Sequence, residues 1–137
     1  MFTSLRREEG ATAVEFALVA PVLFMIVFAI IGFGVAFLQL QTARSAVREG
    51  ARQAAIMKSD GTRFSSGQVA ATTANSSAGL ISSGEVQVSS CSGPSGESTV
   101  SYNTASANGG EGIVVSIPFV PSISMNTIVS AHFVCEG

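Results

Sequence analysis

The sequence predicts an α+β protein: a long N-terminal transmembrane α-helix continuing into a small domain with a second short helix and an antiparallel β-sheet. Three observations carry that expectation. Between Phe16 and Leu38 there is no charged residue and no Asn, Gln or His. Beyond Leu38 apolar residues keep helical spacing while polar residues enter around them. From Glu85 the period changes to two, that of a strand with one covered face.

The apolar run of about 23 residues would be roughly 34 Å long as a helix, enough to cross a hydrocarbon core of about 30 Å with some tilt. A single segment in lipid must satisfy its own backbone hydrogen bonds, which requires a helix. Residues 1–10 precede it as a hydrophilic leader carrying Arg6, Arg7, Glu8 and Glu9. The apolar run is too long for a conventional cleaved secretory signal, and no small-residue site marks its far end. Pro21 lies inside the expected helix, either as a hinge or merely tolerated among membrane neighbours.

After Leu38 the helix is expected to continue to about Lys58, with Asp60-Gly61 as its stop. Arg44, Arg48 and Arg52 recur every four residues, as a solvated face or as a contact row for subunits or lipid phosphates. Glu49 is placed to pair with Arg52. Small residues Ala13, Ala17, Ala29, Gly32 and Ala36 recur along one side; the stripe is either chance or a helix-packing surface.

Residues 59–137 form the expected small domain. Ser65-Ser66-Gly67-Gln68 reads as a capping box opening a second helix to about Leu80. Strand alternation is visible in Glu85-Val86-Gln87-Val88 and more faintly in Thr99-Val100-Ser101-Tyr102. Ile113, Val115, Ile117 and Phe119 line one face of a third strand. Val129, Ala131, Phe133 and Cys135 line one face of the last, with Ser130 and His132 opposite. Turn-rich stretches, Ser92 to Gly96 and Asn108 to Gly110, separate them.

Composition narrows the function classes. Net charge is −2, with no Trp and one Tyr, so neither a basic field nor base-stacking platforms point to nucleic acid. The single His, His132, and the scattered Glu85, Glu97, Glu111 and Glu136 make no catalytic constellation, so no enzyme, cofactor or metal site is expected. Cys91 and Cys135 lack metal-ligand spacing; they are either two unpaired thiols or a disulfide. A disulfide would close a loop of roughly 45 residues and stabilise by about 4 kcal/mol in the chain-entropy model.

Glu15 stands just inside the apolar run, where a carboxylate costs about 2.5–3.5 kcal/mol unless it reaches headgroup depth or finds a partner. Cleavage of the Gly10–Ala11 bond would create an amino group four residues before it, able to pair with Glu15 of the same or a neighbouring chain. Gly10, four small or apolar residues, then Glu15-Phe16 and a long apolar run resemble the processing site of type IV prepilins. The fuller string GATAVEFALVAPVLF, with RSAVREGARQAA beyond the span, resembles the TadE-like pseudopilins of the Tad (Flp, type IVb) pilus system.

The resemblance implies cleavage after Gly10 by a prepilin peptidase, leaving Ala11 as the mature N-terminus, with Glu15 serving processing or assembly. It implies as partners the peptidase, other pilins or pseudopilins and the Tad assembly platform, in a homo- or hetero-oligomer. It also implies single-pass insertion in the bacterial inner membrane, leader cytoplasmic and C-terminal domain extracytoplasmic, with a role in pilus biogenesis and adhesion. Counting Arg44, Arg48, Arg52, Lys58 and Arg63 against Arg6 and Arg7 alone would favour the opposite orientation. The other function class is an unprocessed, membrane-anchored binding or scaffold module.

Overall fold

The computed structural model describes residues 5–91, 96–104, 112–115 and 121–135, with residues 5–9 described as backbone only. Its elements are the helices α1 (Leu5–Ala55) and α2 (Ser66–Ser76) and the strands β1 (Val86–Ser89), β2 (Glu97–Asn103), β3 (Ile113–Val115), β4 (Ile123–Met125) and β5 (Ile128–Val134).

α1 is unbroken across Pro21. It begins at Leu5, inside the expected leader of residues 1–10, because Gly10 in its first turns costs only about 1 kcal/mol against Ala. It ends three residues before the expected Lys58, for a reason local to the following turn. Asp60 accepts hydrogen bonds from Thr62 N (2.8 Å) and Thr62 Oγ1 (2.6 Å), and Gly61 takes a left-handed φ of 76°. These bonds hold the Asp60 carboxyl below its ordinary range. The reversal bridges Met57 to Arg63, and Arg63 Nη1 donates to Ala55 O at 3.1 Å. A guanidinium on the last helical carbonyls satisfies an orphan acceptor and complements the negative end of the helix dipole.

The capping box of α2 is present as expected: Gln68 N donates to Ser65 Oγ at 3.3 Å and Ser65 N to Gln68 Oε1 at 3.0 Å. α2 stops at Ser76 rather than near Leu80. Ser77 Oγ donates to Ala74 O (2.6 Å) and accepts from Ile81 N (2.9 Å), while Ala78 and Gly79 adopt φ of 52° and 85°. Left-handed residues cannot continue a right-handed helix.

Among the described residues the strands form two sheets instead of the expected one. β1-β2-β5 is antiparallel, with Val86 opposite Tyr102 and Tyr102 opposite Val129; β3 and β4 pair separately, Val115 opposite Ile123. The alternation expected in β1 and β2 is present, Val86, Val100 and Tyr102 pointing inward. Along β5, Val129 and Ala131 are buried, but Phe133 keeps 38% exposure. It stands opposite the small Ser98 on a strand paired on one side only among the described residues. Ile113 and Val115 are buried as expected; Ile117 and Phe119 lie outside the described residues, as do Ser92 to Ser95, Asn108 to Gly110, Glu111 and Glu136.

The main core joins α1 (Ala43, Ala46, Val47, Ala51, Ala54) to α2 (Val69, Ala70) and to the inner face of β1-β2-β5. Both helices cover that sheet. Cys91 and Cys135 are bonded, with Cα atoms 6.0 Å apart, and Cys91 Sγ lies 3.7 Å from Ala54 O at the end of α1. The hydroxyl of Ser98, fully buried, lies 3.2 Å from Ala51 O and 3.3 Å from Phe133 O, its one proton within reach of either, tying the sheet to the helix.

Tyr102 is 1% exposed, and among the described residues its hydroxyl has no hydrogen-bond partner. Burial, and next the charge of Glu85, push its phenol pKa up from the ordinary 10.0. The neutral phenol is thus favoured by folding, so its contribution is complete below about pH 10 and is lost as pH rises through the unfolded and then the folded value. Stability should fall on the alkaline side, together with the appearance of phenolate absorbance, which reports this residue alone because it is the one tyrosine. Tyr102→Phe should abolish that alkaline component and leave neutral-pH stability unchanged or raised by about 1 kcal/mol, since an unsatisfied buried hydroxyl is removed. A clear loss of stability at neutral pH in chemical denaturation would contradict this.

Candidate processing site and intramembrane carboxylate

The candidate site occupies the free end of α1. From Gly10 to Val19 every residue is exposed, and the large apolar side chains from Val14 to Leu38 stay uncovered: Phe16 is 70%, Leu18 73% and Leu38 65% exposed. One continuous helix, Gly10–Ala55, is long and apolar enough to span a membrane. Uncovered apolar surface on this scale is incompatible with a helix standing in water.

Gly10 and Ala11 lie on this helix, and a Cβ added at Gly10 would meet nothing within 4 Å. Packing within the described chain therefore does not demand glycine there, and the left-handed backbone that usually does is absent from this helical position. Glu15 follows Ala11 by four residues on the same helix face, a rise of about 6 Å. Among the described residues Glu15 has no ion-pair partner. Phe16 projects beside it, exposed. Ala11 and Glu15 are thus brought together by the helix, while Cys91 and Cys135 sit at the opposite end of the molecule and serve the domain.

Residues 10–52 match the family model for TadE-like protein. The TadE-like segment thus takes in the candidate site, the whole apolar run and the α1 core residues from Ala43 to Ala51, stopping short of Ala54, α2 and the sheets. It is consistent with a TadE-like protein of the Tad pilus system, anchored in a membrane by one N-terminal helix. No curated protein and no solved structure matches the chain.

Within the TadE-like segment the arginine row divides. Arg52 pairs with Glu49 at 2.8 Å, and the pair lowers the Glu49 pKa and raises that of Arg52. Both side chains are well exposed, so the pair is a solvated feature of little energetic weight. Arg44 and Arg48 instead line an open groove with Thr127, Ile128, Val129 and Ser130. The small-residue stripe divides too. Ala13 and Ala17 are exposed, whereas Ala36 is 2% exposed, covered by Ile113 and Val115 of the β3–β4 hairpin, with Ala29 packed against the same cluster.

His132 lies on the outer face of β5, its Nδ1 3.0 Å from Thr99 Oγ1 and 3.3 Å from Glu97 Oε1, with the His132 and Glu97 side chains both half exposed. Glu85 caps a short 3-10 turn through Ser82 N at 3.2 Å.

Proposed function

We propose that this chain is a minor pseudopilin of the Tad/Flp pilus system: cleaved after Gly10 by a prepilin peptidase, retained in the inner membrane by α1, and acting in pilus biogenesis and adhesion. The observation that carries the reading is the TadE-like match over residues 10–52, which opens at Gly10 and includes Glu15. Cleavage leaves the Ala11 ammonium one helical turn from the Glu15 carboxylate. The two charges offset each other, in one chain or between neighbours, where either alone would be costly in hydrocarbon. Other pilins or pseudopilins and the assembly platform would meet the uncovered face of the helix.

The orientation proposed has the leader in the cytoplasm and the domain outside. Cys91–Cys135 supports it, because structural disulfides persist in oxidising compartments. Arg44, Arg48, Arg52 and Arg63 belong to a folded domain rather than to a short loop, and whole domains translocate largely regardless of their charge.

Intact-mass measurement of the protein from membranes of cells assembling the pilus should find Ala11 at the N-terminus. Gly10→Asp should retain the leader. Glu15→Ala should remain inserted and folded while pilus assembly falls. Recovery of Met1 through Gly10 on the mature protein would overturn the reading in favour of a tethered, unprocessed module.

A further inference from the structure

We infer that one strip of α1 docks a neighbouring membrane-anchored protein that is not a second copy of this chain. Ile30, Phe33 and Phe37 form its apolar part, and Arg44 and Arg48 above them face carboxylates of the neighbour. The inference rests on the proposed assembly for the presence of a neighbour. Its test uses purified protein and no pilus, so its failure would be separate from any failure of leader cleavage.

The first observation is alignment. At about 100° per residue, Ile30, Phe33, Phe37, Arg44 and Arg48 lie within about 60° of one another around the α1 axis. All five are exposed, Ile30 at 68%, Phe33 at 51% and Phe37 at 60%. The face that carries Ala36 packs on Ile113 and Val115 and points elsewhere. The described part of the domain therefore leaves this strip open.

The second observation is charge without an internal partner. Arg52 is paired with Glu49, but among the described residues neither Arg44 nor Arg48 has an acidic partner. The two line an open groove of about 230 Å³, and its other described wall, Thr127 to Ser130, brings no acid. That wall is held in place: Thr104 N donates to Thr127 O at 2.9 Å, and Thr127 N donates to Thr104 Oγ1 at 2.7 Å. Ile128, 69% exposed, adds apolar surface beside the guanidiniums. Two guanidiniums about 6 Å apart in rise can each donate charge-assisted hydrogen bonds to a carboxylate.

The third observation is height, which selects the occupant. Ile113 and Val115 pack on α1 from Leu40 down to Ala29, and beside them β4 and its flanks expose Ser122, Ser124, Asn126 and Thr127. So much exposed polar surface is too costly in hydrocarbon. The hydrocarbon therefore ends near Ala29, and residues 10–28 still fall within a span length of about 17–25 residues. Arg44 then stands about 22 Å further along the axis, beyond a headgroup layer of about 5–7 Å, out of reach of lipid phosphates. The apolar part of the strip is above the hydrocarbon too, so protein covers it. A second copy in the same membrane holds its own Arg44 and Arg48 at the same height, and the two rows repel. A different protein with acids at that height matches both parts.

The double variant Arg44→Glu/Arg48→Glu is the probe, because it offers the same apolar strip with carboxylates at the required height. Full-length wild type and variant, carrying donor and acceptor dyes on a C-terminal tag, would be reconstituted in phosphatidylcholine vesicles and followed by energy transfer. Wild type mixed with variant should associate at least about tenfold more tightly than either protein with itself. Raising salt from about 0.1 M to 1 M should remove most of that difference, and adding phosphatidylglycerol should leave it in place. Wild type associating with itself as strongly as with the variant would assign the strip to a second copy and overturn the inference. So would a mixture showing no association. Loss of the mixed signal on adding phosphatidylglycerol would also overturn it, by assigning the arginines to lipid phosphate. Disulfide formation and helical circular dichroism confirm folding, and Arg48→Glu alone serves if the double variant misfolds.

Discussion

Replacing Cys91 and Cys135 together by serine is expected to destabilise the outer domain by about 4 kcal/mol, the loop-closure value for so long a loop. The bond joins residues 44 apart and ties the segment after β1 to the end of β5, beside the last turn of α1. Cys135 is 5% exposed, and Cys135 N donates to Gly96 O at 3.0 Å, so the crosslink and the start of β2 are held together. A domain this small has a net stability of only about 5–15 kcal/mol at best, and the crosslink is a large share of it. Denaturant unfolding of the full chain in detergent, oxidised against reduced and wild type against Cys91→Ser/Cys135→Ser, should show the same loss by either route. Helical content should survive, because the free part of α1 owes nothing to the domain. An unchanged midpoint would refute a structural role for the bond.

Gly50 carries the second large effect. A Cβ there would overlap Thr73 Oγ1, stand 3.2 Å from Thr73 Cβ, and touch Val100 Cγ1 at 3.6 Å. Thr73 is fully buried and its hydroxyl already donates to Val69 O at 2.9 Å, so it cannot swing aside without losing that bond. In an open helix Gly→Ala gains about 1 kcal/mol. Here the overlap should reverse the sign, with Gly50→Ala costing about 1–3 kcal/mol and Gly50→Leu more. Thr73→Ala should recover part of the loss in the double variant, because it removes the nearest obstructing atom. Additive losses in that cycle would show that the Gly50 effect comes from elsewhere.

Gly50 also shows what linear reading misses. It sits in Arg48-Glu49-Gly50-Ala51, and nothing in that string distinguishes a tolerated glycine from one on which two helices close. A mid-helix glycine beside an apolar face is the available signal, but which element approaches it is a matter of tertiary packing. The capping box of α2 was legible because Ser65 and Gln68 satisfy each other within one turn. The end of α1 was legible only approximately: Asp60-Gly61 marks the turn, but Arg63 returning to Ala55 O decides which carbonyl is last. Residues after Lys58 thus chose the helix boundary.

The linear order of residues suffices for a helix long and apolar enough to span a membrane, for the place of Gly10, Ala11 and Glu15 upon it, and for the period-two pattern of β1, of β2 and of β5 as far as Ala131. Each depends on the chemistry of residues within one or two turns, or on the demand that lipid makes of any uncharged run. The packed fold was needed to show that the described strands divide into two sheets and that Cys91 meets Cys135. It alone showed that the small residues around Ala36 receive the chain's own hairpin. Those outcomes join residues far apart in the chain, and the free energy selecting them lies in the shape of the surfaces brought together, which no single segment contains.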